Sequence, residues 1–355
     1  AGVMANWYCS REQVKTAAQV GGPDRHAQID RLIEAESRRI DRETRRIFIP
    51  KTQTRQYRWP LPGNDSGKIL WLDFDLISIS TLQTKAQDSS PTTISASDFF
   101  LEPQAFGPPY DRIEIDLSST AAFEAGDTPQ RSISVNGSWG YSEDTKSSGT
   151  VASGLSASAS ATTMVCSDAS LINVGDALLI ESEQVFVSDR DFAALDSILL
   201  NGALTADKSN VTVTVDGSHG IVAGEIIRVD SEQLFVSAVS TNNLTVRRAF
   251  NDTVLVAHSD DTAVHINRTL TIERGVNGTT AATHSDSTAI SKYEVPFDVN
   301  ELCVAAAVNA VHQESAGWGR EVGTGEGARE MRGRSLAELR HGLVRQLKRT
   351  RIGAI

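Results

Sequence analysis

Residues 174–188, VGDALLIESEQVFVS, decide the fold because the same pattern returns at residues 223–237 as AGEIIRVDSEQLFVS, without a gap and at a shift of 49. A second pair follows, in which LTVRRAFNDTVLVAHSDDTAV (244–264) aligns with LTIERGVNGTTAATHSDSTAI (270–290) at a shift of 26. Short apolar runs bounded by Gly, Asp and Asn are typical of β-strands and turns. The repeats therefore predict two copies of one small all-β unit.

The order of the repeated halves predicts how the two units are connected. Only the central copy contains both halves in sequence, while the other has its first half before that copy and its second half after it. We therefore predict an inner β domain at 207–266, inserted into a hairpin of an outer β domain formed by 162–190 and 267–292. A tandem array is the alternative, but it needs residues 189–210 to supply a missing half, which they do not resemble.

Residues 49–145, before the repeats, form a different β unit. Segments 53–59, 69–80, 111–117 and 131–139 alternate apolar and polar residues between clusters of Pro, Gly, Asn and Asp. Such alternation predicts half-buried antiparallel strands. Residues 146–161 are rich in Ser, Ala and Gly and are predicted to form a flexible linker.

Helical patterns occupy both ends of the chain. Ser10 and Gln13 form a capping-box pattern before a first helix, and a longer amphipathic helix is predicted from about residue 24 to 48. Asp298 and Glu301 form a similar pattern before a third helix. The predicted fold class is therefore α+β. Residues 1–48 and 293–355 are predicted to form a helical platform, and the β units, which lie between them in the sequence, are predicted to project from it. The last helix carries an apolar stripe with basic residues around it: Leu336, Leu339, Leu343 and Leu347, then Arg340, Arg345, Lys348, Arg349 and Arg351.

Charge is distributed unevenly along the 355 residues. The net charge is −11, with +2 in residues 1–50 and +5 in 320–355, which leaves −18 for residues 51–319. An acidic middle segment disfavours tight binding of a nucleic-acid backbone. No run of about 18 apolar residues occurs, and the three cysteines provide no disulfide framework, so we expect no membrane segment and synthesis in a reducing compartment.

The sequence predicts neither an enzyme nor a metal or cofactor site. No combination of nucleophile, base and orienting group emerges. His258 and His284 occupy equivalent repeat positions, each before Ser-Asp, and a shared turn role explains both. The basic last helix could contact a membrane, nucleic acid or a protein groove, and its stripe lacks interfacial Trp and Phe, which favours a protein partner.

Three segments together resemble the head-to-tail connector, or adaptor, proteins of tailed bacteriophages. They are YCSREQVKTAAQV with DRLIEAESRRIDRETRRIFIP near the N-terminus, ISVNGSWGYS at the end of the first β unit, and YEVPFDVNELCVAAAVNAVHQ after the repeats. The resemblance covers about 1–145 and 292–355, and the inserted repeats look like β modules of phage structural proteins.

The resemblance implies a virion structural protein assembled in the host cytoplasm and located in the neck. Its copies form a ring, usually dodecameric, between the portal and the tail-completion or stopper proteins, and genomic DNA passes through the lumen without sequence-specific binding. In such proteins the last helix docks to the portal. The resemblance therefore implies a docking role for the apolar stripe and the basic residues of this helix: Leu336, Leu339, Arg340, Leu343, Arg345, Leu347, Lys348, Arg349 and Arg351. The alternative is a surface adhesin or carbohydrate-binding module that uses the β repeats.

Overall fold

The computed structural model describes residues 6–60, 67–315, 321–322, 329–330 and 333–349. Within these ranges the chain has four α-helices and two large antiparallel sheets. The α+β class is therefore confirmed in its general form.

The helices are α1 (Arg11–Ala18), α2 (His26–Thr44), α3 (Phe297–Ser315) and α4 (Gly333–Leu347). The capping box before α1 is confirmed, since Ser10 Oγ accepts from the Gln13 backbone N–H at 3.2 Å while Gln13 Oε1 accepts from the Ser10 N–H at 2.8 Å. α2 ends before residue 48, because Arg45 adopts a left-handed conformation with φ 56°.

A single hydrophobic core joins both ends of the chain. Ile29, Ile33 and Ile40 of α2 pack with Leu302 and Val311 of α3, and all five are fully or almost fully buried. The apolar spacing in these segments produces one buried stripe per helix. Helices from the first and last parts of the described chain thus share one hydrophobic core.

The first sheet has six strands: β1 (Lys51–Tyr57), β2 (Ile69–Thr84), β3 (Thr92–Ile94), β4 (Phe99–Glu102), β5 (Tyr110–Ile115) and β6 (Ile133–Trp139). Their order is β1-β6-β2-β5-β4, with β3 paired to β2. The core of this sheet includes Trp139, Leu76 and Val135. The four predicted segments correspond to β1, β2, β5 and β6, whereas β3 and β4 are too short to show a clear alternation.

The second sheet contains the repeats and has ten strands: β7 (Thr145–Thr150), β8 (Thr163–Val165), β9 (Ala177–Ile180), β10 (Glu183–Leu199), β11 (Thr212–Thr214), β12 (Ile226–Val229), β13 (Glu232–Ser240), β14 (Asn243–Arg247), β15 (Ala263–Glu273) and β16 (Ala289–Tyr293). Their order is β11-β14-β13-β12-β15-β10-β9-β16-β7, with β8 paired to β15. A separate two-stranded ladder joins β17 (Glu321–Val322) to β18 (Arg329–Glu330).

Two separate hydrophobic clusters line this second sheet. The outer cluster contains Val185 and Leu270, and the inner cluster contains Val229 and Leu244. The long strands β10 and β15 contribute side chains to both clusters, and they pair with each other across three register shifts. One continuous ladder therefore connects the two clusters.

The predicted flexible linker at 146–161 is wrong for its first part. β7 pairs with β16, and isolated bridges join Val151 to Cys166 and Leu155 to His284. Ser148, Val151 and Leu155 are buried. Strand pairing, the two bridges and these buried side chains therefore give the first part of this segment an ordered structure, despite its Ser- and Gly-rich composition.

Candidate functional site

The candidate docking element, α4, is attached to α2 by charge pairs. Arg340 donates to Glu36 at 2.7 Å and to Glu43 at 3.2 Å. Burial opposes ionisation of Glu43, but hydrogen bonds from Arg39 and Arg340 outweigh it and lower the pKa of that carboxyl. Arg340 is therefore engaged within the chain rather than presented to a partner.

A buried carboxylate holds the segment that follows α4. Asp75 accepts hydrogen bonds from Arg349 and, at 2.9 Å, from Arg46, while Arg349 also donates to the Leu72 carbonyl at 2.9 Å. Burial raises the pKa of Asp75, and the two guanidinium groups oppose that rise. The arrangement fastens the end of α4 to the first sheet through a charge pair that is almost excluded from water.

The stripe of α4 is divided between the core and the surface. Leu343 is buried in the helical core, and Leu336 and Leu347 pack against it as half-buried residues. Leu339, Arg345 and Lys348 are exposed, with Leu339 44% accessible. Arg351 lies outside the described residues. Of the predicted docking residues, these three exposed ones remain free to meet a partner surface.

A groove of about 480 Å³ lies between α3 and α4 next to the exposed Leu339. Leu302, Leu339 and Leu343 form its apolar wall, and the exposed carboxylates of Asp298, Glu301 and Glu338 also line it. The groove was not predicted from the sequence. Asp298 and Glu301, which at a spacing of three share one face of α3, were the local sign of it.

The repeats contain a charged cluster at the same place in each copy. In the inner copy, Glu232 accepts two hydrogen bonds of 2.7 Å from Arg248 and one of 2.9 Å from the Ala249 N–H. His258 places Nε2 2.9 Å from Glu232 and Nδ1 2.8 Å from Asp230. The side chains of Glu232, Arg248 and His258 are fully buried.

The outer copy reproduces this cluster contact by contact. Glu183 accepts two hydrogen bonds of 2.7 Å from Arg274 and one of 2.9 Å from the Gly275 N–H. His284 lies 2.8 Å from both Glu183 and Glu181. Glu183 corresponds to Glu232 at the shift of 49, and Arg274 and His284 correspond to Arg248 and His258 at the shift of 26.

The hydrogen bonds around the two buried glutamates indicate that both clusters have a structural role. Burial alone would raise the pKa of each glutamate, but hydrogen bonds from arginine, backbone N–H groups and histidine lower the pKa of Glu183 and Glu232 to about 2. Their carboxylates are thus saturated with donors and present no open face. In the described part of the chain, no group of three or more His, Cys, Asp or Glu is arranged to hold a metal ion.

Comparison with known proteins gives no relative. No protein-family model matches the chain, and no curated protein or solved structure matches it either. Among the described residues, no helix is long and apolar enough to cross a membrane.

Proposed function

We propose that this protein is a head-to-tail connector of a tailed bacteriophage, a virion structural protein whose copies form the neck ring between the portal and the tail. The observation that carries the proposal is the helical core, which is built from segments near both ends of the chain. The strands of both large sheets lie between these segments in the sequence. In such an architecture the helical core forms the ring, and the β units can differ in sequence and size without changing the ring. Rings of this kind close through heterologous contacts between identical subunits.

The surface of α4 supports a role in portal docking. Leu339 and Arg345 of α4 and Lys348, directly after it, are exposed, and we propose that these three residues contact the portal. Leu336, Arg340, Leu343, Leu347 and Arg349 hold the helix on the platform, as their packing and ion pairs support. Of the residues first expected to dock to the portal, only these three exposed ones are therefore proposed to contact it.

The acidic middle segment supports passage of DNA through the ring. Residues 51–319 carry a net charge of −18. A lumen that repels the phosphate backbone or is neutral lets DNA slide, whereas a basic groove retains it. We propose that DNA is a transient occupant of the ring and is bound without sequence specificity.

We also propose that the repeats form two small β domains, one nested in the other. The separate inner and outer hydrophobic clusters support this, as do the two equivalent charged clusters. Asp191 pairs with Thr269 and Ala193 with Ile266, so the strands are already adjacent where the insertion begins. Replacing residues 194–265 by Asn-Gly should therefore leave a folded protein; an aggregated or unfolded product would contradict nesting.

The test of the connector proposal is the mass of portal rings from the same virus, measured before and after mixing with the protein. We expect a gain that saturates at one copy per portal subunit. Leu339→Asp combined with Arg345→Glu should abolish the gain, while Leu117→Asp, a similar change at an exposed position of the first β unit, should preserve it. No gain with the unmodified protein would contradict the proposal, and binding of the full chain to a glycan array would then favour a carbohydrate-binding module.

A further inference from the structure

Two of the three cysteines face each other inside the helical core. Cys9 lies directly before the N-cap of α1, Cys303 lies on the buried face of α3, and their sulfur atoms are 3.2 Å apart. Both side chains are buried, with accessibilities of 5% and 0%. A disulfide requires a sulfur separation of about 2.0 Å, so an approach of roughly 1.2 Å separates these thiols from a covalent bond.

The surroundings of the pair favour a thiol–thiol reaction over other partners. The nearest hydroxyl is Ser37 Oγ, 3.6 Å from Cys303 Sγ, and that hydroxyl already donates to the Ile33 carbonyl at 2.8 Å. Cys166 is different, because it lies in the outer repeat cluster and its thiol donates to the Arg268 carbonyl at 3.4 Å. The chain therefore supplies one matched pair and one isolated thiol as an internal control.

A cavity reaches Cys9, the more accessible of the two cysteines. A cavity of about 690 Å³ is lined by Cys9 together with Trp7, Tyr141 and Asn300. Burial and the neighbouring Cys303 thiol raise the pKa of Cys9, so its reactive thiolate is scarce at neutral pH. Because the thiolate is the nucleophile, oxidation should be slow at neutral pH and faster in alkaline solution.

We propose that Cys9 and Cys303 are a latent crosslinking site, which a small two-electron oxidant such as hydrogen peroxide converts into a disulfide between the N-terminal segment and α3. The Cys9 thiolate attacks one peroxide oxygen, which breaks the O–O bond and gives a sulfenic acid and hydroxide. The Cys303 sulfur then attacks the sulfenic sulfur and displaces its oxygen as water. In sum, two thiols and one hydrogen peroxide give one disulfide and two waters.

The crosslink closes a loop that runs from residue 9 to residue 303 and contains every β-strand of the two large sheets. A covalent tie across so long a segment restricts the unfolded chain and holds the platform together while the β units move or unfold. This inference is independent of the proposed neck function, since it depends only on the packing of α3 against the N-terminal segment.

The test is peroxide treatment of the full chain at pH about 9, followed by peptide mapping without reduction. We expect a peptide pair joined through Cys9 and Cys303, two of the three free thiols lost, and a rise in Tm that a reductant reverses. Cys166→Ser should keep the crosslink. Cys303→Ser should abolish it and leave a Cys9 sulfenic acid that dimedone traps.

Either of two results on the unmodified protein overturns the proposal. One is persistence of all three thiols under excess peroxide, and the other is oxidation without a linked Cys9–Cys303 peptide. Because the unmodified chain supplies the deciding measurement, the outcome does not depend on whether the serine variants fold.

Discussion

Arg248 and Glu232 are joined by two parallel hydrogen bonds of 2.7 Å, and neither side chain is exposed to solvent. The same paired geometry joins Arg274 to Glu183 in the other repeat. Planar guanidinium and carboxylate groups are well suited to this two-point contact. In each copy the pair connects the hairpin of the first repeated half to the turn of the second.

Removing one partner of this buried pair should be costly. We expect Glu232→Gln to destabilise the protein by about 3 kcal/mol, because it leaves the Arg248 charge buried and unpaired. Glu183→Gln should have a similar effect through Arg274. Urea unfolding measures both, with exposed Glu143→Gln as the control; equal stability of all three variants would show that the clusters do not stabilise the repeats.

Stability should also fall in acid through the same two glutamates. Their folded pKa of about 2 lies below the ordinary value of about 4.3, so the unfolded state binds more protons in this range. Their contribution is complete above pH about 4.3 and is lost as the pH falls towards 2. Urea unfolding at pH 7, 5, 4 and 3 measures this decline, which should be shallower in the Glu183→Gln, Glu232→Gln double variant; parallel profiles would contradict it.

The buried end of the last helical segment gives a third prediction. Arg349→Ala should destabilise the protein by about 3 kcal/mol, because Asp75 loses one of its two cationic partners inside the structure. Arg345→Ala, a matched change on the exposed face of α4, should alter stability by less than about 0.5 kcal/mol. Chemical denaturation and proteolysis of the C-terminal segment compare the two; equal sensitivity would place Arg349 in solvent.

A glycine contact tests how the repeats sit on the first sheet. Gly278 has φ +83°, and a Cβ at that position would lie 2.0 Å from the Thr52 carbonyl oxygen of β1. Gly202 has φ +103° with open space around it. Gly278→Ala should therefore lower Tm clearly more than Gly202→Ala, which bears only the backbone strain. Thermal unfolding measures both, and an equal loss would mean that this contact is absent.

Much of the architecture was predictable because it depends on local patterns. The Ser10 and Gln13 pair identified the start of α1, and alternation identified the longer strands of the first sheet. The repeats identified equivalent residues, so the sequence alone was enough to match His258 with His284. Their carboxylate partners, Glu232 and Glu183, are known only from the structure. Each of these signals lies within a few residues or recurs in the sequence.

The remaining features depend on contacts between distant segments. Asp75 sits in an ordinary alternating strand, and nothing nearby in the sequence shows that Arg46 and Arg349 meet it. The basic residues of α4 and of the segment after it resembled a free docking surface, yet Arg340 and Arg349 have partners within the chain. Likewise, the Ser-rich segment after residue 145 gains its order from β16, more than a hundred residues away.

The strands β10 and β15 both extend from the outer hydrophobic cluster to the inner one, and they pair with each other on both sides of three register shifts. The two repeats are therefore connected by paired strands with backbone hydrogen bonds between them, and not by a single flexible linker. We expect any bending between the two repeats to occur at the three register shifts of this ladder, where pairing is interrupted. The inner repeat should therefore move together with the outer one rather than independently of it.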